Sequence, residues 1–153
     1  MAQRMNYLTA APGGAKALGT VYGYVSQSGL PKTLIDMVYL RVSHINGCAY
    51  CIDSHTSDLL KESVPVEKVT LVPTWQEGGA FFDERERAAL AWAETVTRVA
   101  DTHVPDDAYA IARAVFSEKE LADLTIAIGL MNAYNRLAIS FRQTPVSVAR
   151  LAV

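Results

Sequence analysis

The chain has 153 residues, half of them hydrophobic and 20% charged, with a formal net charge of −2. That length suits a single domain burying about two-thirds of its unfolded surface, and the absence of a basic block argues against nucleic acid or an anionic membrane as partner. No stretch is apolar and long enough for a secretory signal or a bilayer span, and two cysteines do not make a disulfide framework, so one cytoplasmic domain over 1–153 is expected, with a helical core at 12–145 and arms at 1–11 and 146–153.

Taken in chain order, the periodicity predicts helices. Leu18, Val21, Tyr22 and Val25 recur at helical spacing between Ala15 and Ser28, with Gly29 as the stop. Gly13, Gly14, Gly19 and Gly23 in the same stretch point to close helix contacts. Pro31 suits a first helical position, and Leu34, Ile35, Val38, Val42 and Ile45 form an apolar stripe that runs into Asn46-Gly47. A second helix begins at about Cys48 and continues to Glu62. After Pro65 a short helical turn directs Val66 and Val69 inward, and Val72 to Gly79, rich in turn formers, reads as the longest loop. Asp83 and Glu86 then make a capping box, and Ala89, Trp92, Val96 and Val99 carry that helix to about Ala100. Pro105-Asp106-Asp107 opens a helix ending near Phe116. Ser117 and Glu120 repeat the capping box before the last long helix, whose stripe is Leu121, Leu124, Ile128, Met131, Asn135 and Ile139 and which Pro145 stops. The tail to Val153 is apolar enough to pack on something. No period-2 strand and no repeat interrupts this pattern, so the fold class is all-α. Trp75 and Trp92 read as core or interface anchors, His44 and His103 as surface or turn residues. Asn132, Tyr134, Asn135 and Arg136 read as a polar network between helices or subunits.

The chemistry-bearing stretch is Asp36 to Asp58, which holds both cysteines and a histidine. Cys48, Cys51 and His55 stand at i, i+3 and i+7, one face of a helix, with both sulfurs in its first turn. Unpaired N–H groups and the helix dipole favour a thiolate there. A thioredoxin-type dithiol would follow a strand, and none is predicted; covalent haem needs a histidine where Ile52 stands. A zinc site would take Cys48, Cys51 and His55 with His44, His103 or water as fourth ligand. A cysteine peroxidase would use one thiol to form a sulfenic acid and the other to resolve it. His55, at i+4 from Cys51, is better placed as a base for Cys51 than for Cys48.

The segment SHINGCAYCIDSHTSDL resembles the signature of the alkylhydroperoxidase D-like (AhpD-like) branch of the carboxymuconolactone decarboxylase family. The resemblance runs from about Leu34 to Lys61, and FFDERERAALAWAETVT and NAYNRL are also of that family's type. It implies a cofactor-free, metal-free alkyl hydroperoxide reductase in which Cys51 forms the sulfenic acid, Cys48 donates the proton and resolves, and His55 belongs to a proton relay. Asp36 stands where the family has a glutamate, one methylene shorter, a gap wide enough for one water to span. The implied assembly is a homotrimer or homohexamer of helical protomers. The implied partners are a small hydroperoxide and a dithiol reductant, free or carried on a lipoylated or thioredoxin-like protein. Two alternatives stand beside it: a redox-sensing or interaction module without turnover, and a decarboxylase of the wider family, which leaves the dithiol without a role.

Overall fold

One helix, apolar on nearly every side, sits at the centre of the molecule. The structure, a computed structural model, describes residues 2–151. After the short α1 (Tyr7–Ala10) and α2 (Pro12–Ser26), α3 (Lys32–Asn46) buries every residue from Leu34 to Leu40. A helix hydrophobic all round belongs in an interior, and α3 packs against α4 (Ala49–Lys61), α6 (Glu84–Thr97) and α9 (Glu118–Phe141). Val38, Val42 and Ile35 join the larger core with Trp92, Leu124 and Ile128. Met37 and Leu40, on the far side of α3, meet Leu59, Val72, Trp75 and Leu90 in a second core. The sequence stripe marked only the first of these faces. α5 (Val66–Leu71), α7 (Val99–Thr102), α8 (Asp106–Val115) and α10 (Val146–Arg150) complete the bundle, with no strand among the described residues.

Both predicted capping boxes are present, Asp83 with Glu86 at the start of α6 and Ser117 with Glu120 at the start of α9. Each satisfies two of the orphan N–H groups that a helix start leaves.

Several local expectations are corrected. Val72–Glu77 is not a loop but a 3-10 helix. The Trp75 indole N–H donates to Glu94 at 2.7 Å, and its ring is buried in the second core. Val69 faces inward but Val66 is exposed, because only one face of the six-residue α5 meets the core. α6 ends at Thr97, so Val99 starts a separate turn and is exposed, and Ile139 lies on the outer side of α9. Added Cβ atoms at Gly13, Gly14, Gly19 and Gly23 would meet nothing within 4 Å, so these glycines do not mark close contacts within the chain. His44 is half-buried rather than on the surface, with a buried Nδ1 that has no partner.

Each arm carries one short helix, α1 and α10, and returns to the CxxC end of the same chain. Arg4 donates its backbone N–H to Phe141 O at 2.9 Å, and Tyr7 stacks on Phe141. At the other end Asp53 of α4 caps α10, accepting from the Ser147 N–H at 2.9 Å and from its hydroxyl. Ala152 and Val153, the end of the apolar tail, lie outside the described residues. No helix among the described residues is long and apolar enough to cross a membrane.

Candidate active site

The site starts from a glycine. Gly47 adopts φ 69°, ψ 35°, a left-handed conformation that glycine takes without strain. Its N–H bonds His44 O, and the next N–H, of Cys48, bonds Ser43 O at 3.0 Å. These two bonds close α3 in a Schellman motif. The residue that completes the motif is Cys48, which at once becomes the N-cap of α4 in extended conformation. Its sulfur therefore occupies the place of a capping oxygen and accepts from the Cys51 N–H at 3.4 Å. The helix end, by its geometry, asks for an anion at this atom.

The two sulfurs lie 2.7 Å apart, and both cysteines are free and buried. The hydrogen bond from Cys51 draws the Cys48 thiol down to about 7, against the cost of burial and with help from the Cys51 and Tyr50 N–H groups and the Asn135 amide. Cys51 moves up, because it keeps the shared proton beside the Cys48 charge and because it is buried. The two thiols thus titrate as a pair, and the helix start favours the first negative charge at Cys48.

The sulfurs open on different sides. Cys51 lines a cavity of about 340 Å³ with His55, Ser54, Asp58, Met131 and the tyrosines 7, 22, 50 and 134. Cys48 lines another of about 300 Å³ between α4, the end of α9 and α10, with Ala138, Arg142 and Val148. His55 is thus gathered with Cys51 on one cavity, and Asp36 stands behind the imidazole, its Oδ1 3.4 Å from Nδ1. That approach is ionic in length but too poorly aligned for a hydrogen bond, leaving Nδ1 buried without a partner. Burial alone would raise the Asp36 carboxyl, yet His55 and Lys32, whose ammonium is 2.8 Å away, together hold it below the usual carboxylate range. Tyr39, packed on His55 with ring centroids 5.0 Å apart, also buries a hydroxyl that has no partner.

The polar network that the sequence points to at Asn132 and Asn135 forms between α3 and α9, and the structure makes it the floor of the site. Asn135 is fully buried and donates to Ser43 Oγ at 3.1 Å, while Asn46 donates to Asn135 and Asn132 at 2.9 and 3.0 Å. This interhelix network ties the end of α3 to α9 directly beneath the dithiol, and its Asn135 and Ser43 favour the anionic sulfurs. Its signal in the sequence is two asparagines three apart in the largely apolar later half of α9, which carries no information on their place under the sulfurs. His44 and His103 are not brought to the site: neither lines a dithiol cavity. Neither therefore stands beside the dithiol as a fourth ligand for a zinc ion on Cys48, Cys51 and His55.

Comparison with known proteins bears on the family and the fold. A sequence model of the carboxymuconolactone decarboxylase family matches residues 12–95. The uncharacterised protein YdfG of Bacillus subtilis (strain 168) is 35% identical over 140 residues, which is 92% of this chain and 95% of that protein. A protein of unknown function from Agrobacterium tumefaciens, described as a candidate antioxidant defence protein AhpD, has a crystal structure that matches with TM-score 0.90. It is 39% identical, over 94% of this chain and 98% of its own. The debrominase Bmp8 shares the fold alone, at TM-score 0.82 and 21% identity over 94% of this chain and 77% of its own.

Proposed function

The chain belongs to the carboxymuconolactone decarboxylase family, with an AhpD-like fold, and from that premise we propose that it is a thiol-dependent hydroperoxide reductase. The observation that carries the reading is the asymmetry of the dithiol: Cys48 Sγ caps the start of α4 and accepts the Cys51 N–H, while Cys51, in contact with it, opens on the cavity that His55 lines. The charge on Cys48 makes it an internal base. As Cys51 attacks the terminal oxygen of a hydroperoxide, its proton passes to the adjoining Cys48 sulfur. The anion is more nucleophilic on Cys51, since nucleophilicity rises with thiol pKa. The O–O bond breaks, Cys51 becomes a sulfenic acid, and the alkoxide leaves as alcohol with a proton carried by His55, which Asp36 orients. Cys48 then attacks the Cys51 sulfur and expels hydroxide, which leaves as water, forming the Cys48–Cys51 disulfide. Two thiols and one hydroperoxide yield a disulfide, an alcohol and a water. A dithiol reductant, free or carried on a lipoylated or thioredoxin-like protein, returns two electrons and closes the cycle.

The direct test is a free-thiol count on reduced, metal-free protein before and after one equivalent of an organic hydroperoxide. Loss of both thiols, restored by a dithiol, is the expected outcome. Two surviving thiols would overturn the peroxidase reading. Loss of both with no recycling by any dithiol, accompanied by a change in assembly, would instead identify a redox-sensing module.

A further inference from the structure

We propose that Asp36, His55 and Asp58 form a site for a divalent zinc ion and that its occupancy arrests the dithiol cycle; the arrest rests on the peroxidase reading, the binding does not. One donor atom from each residue lies within 4.8 Å of the other two. The Asp36 Oδ1–His55 Nδ1 distance of 3.4 Å matches the edge of a tetrahedron, roughly 3.3–3.4 Å when the bonds are about 2.0–2.1 Å. His55 Nδ1, facing Asp36 Oδ1, is moreover a buried nitrogen with no hydrogen-bond partner, on a residue only 7% exposed. Such an atom calls for a ligand.

The remaining geometry fits. Asp36 spends Oδ2 on Lys32 at 2.8 Å, which leaves Oδ1 turned to His55. Asp58 stands one helical turn after His55 on α4 and lines the Cys51 cavity, so an ion reaches the cluster from that cavity. Asp58 is partly exposed, and its side chain swings more freely than the other two. Charge also favours a cation. Lys32 pairs with Asp36 and with Glu62 at 3.2 Å, and Lys61 with Asp58 at 2.9 Å. Three carboxylates thus face two ammonium groups, an excess of one negative charge before the imidazole is counted. One imidazole with two carboxylates and a cavity-facing fourth position is a zinc donor set, whereas magnesium and calcium prefer oxygen alone. Zinc on Nδ1 ties up the imidazole and the carboxylate that orients it. The proton carrier for the leaving oxygen is then lost while both thiols stay intact.

The test separates this cluster from the dithiol, which itself attracts zinc. In the Cys48→Ser/Cys51→Ser double variant, titration calorimetry should give one Zn²⁺ per chain. The Co²⁺ adduct should show visible d–d bands without a thiolate charge-transfer band. Adding Asp58→Asn should weaken that binding at least tenfold, with circular dichroism reporting whether the fold is kept. In the dithiol protein, zinc should slow hydroperoxide consumption at least tenfold relative to its own zinc-free rate, and Asp58→Asn should relieve most of that inhibition. A double variant that binds no zinc overturns the site. Equal inhibition of the protein with and without Asp58→Asn overturns the arrest and assigns it to the dithiol. If peroxide is never consumed, the peroxidase reading fails while the calorimetry still decides the site.

Discussion

Two thiols in direct contact titrate as a pair. Thiolate absorbance of the reduced protein should therefore show its first midpoint near 7, and Cys48→Ser should move the first ionisation upward by a unit or more. The linkage follows from the same shift. The Cys48 thiol is lowered from its ordinary 9.0, so its contribution to stability is complete above about 9 and is lost as the pH falls through 7. Denaturant unfolding of the reduced protein should show its advantage over Cys48→Ser growing between pH 7 and 9. In peroxide assays Cys51→Ser should be inert, while Cys48→Ser consumes one equivalent slowly and stops at a trappable sulfenic acid. The reverse pattern would exchange the two roles. At this scale the sequence spoke clearly about spacing: two thiols and an imidazole on one helix face follow from period alone. It could not say which sulfur holds the charge, since the answer lies in one N–H, one amide from α9 and the depth of burial.

Helix ends are the elements that aim this site. Gly47, Ser63 and Arg142 all hold positive φ, at 69°, 61° and 53°. Each precedes a residue whose N–H reaches back five positions: Cys48 to Ser43, Val64 to Leu59, Gln143 to Ala138. Only the first uses glycine. A left-handed non-glycine residue costs roughly 1–2 kcal/mol, part of which glycine returns through its freer unfolded chain. Ser63→Gly, distant from the dithiol, should raise stability by about 0.5–1 kcal/mol in urea unfolding. Gly47→Ala should lower it by about 1–2 kcal/mol, with no steric component, because a Cβ there meets nothing within 4 Å. Caps were legible because their information is local: Ser117-Glu118-Lys119-Glu120 carries its own partners. The 72–79 segment was misread because its order comes from Glu94, nineteen residues beyond Trp75, which also receives the Arg41 guanidinium at 2.8 Å.

For the whole molecule, the two arms wall the two sides of the dithiol. Tyr7 of the first arm lines the Cys51 cavity, and Val148 of the second lines the Cys48 cavity. Asp53 pins the second arm, so Asp53→Ala should free α10 and expose Cys48. Its reaction with a bulky aromatic disulfide should accelerate several-fold, and exchange protection should fall over 146–150 while the core keeps its protection. Equal rates would mean that α10 does not guard the sulfur. The amino-acid sequence by itself determined that this protein is an all-α chain of the carboxymuconolactone decarboxylase family, with a dithiol at a helix start and His55 in register behind it. Those properties rest on short-range periodicity, turn chemistry and a motif contained in one stretch. Only the tertiary structure decided that Asn135 underlies the sulfurs, that the two thiols face separate cavities, and that Asp36, His55 and Asp58 converge. These are meetings of α3, α4, α9 and the arms, set by how the apolar faces of separate helices pack, and no local spacing in the chain encodes them.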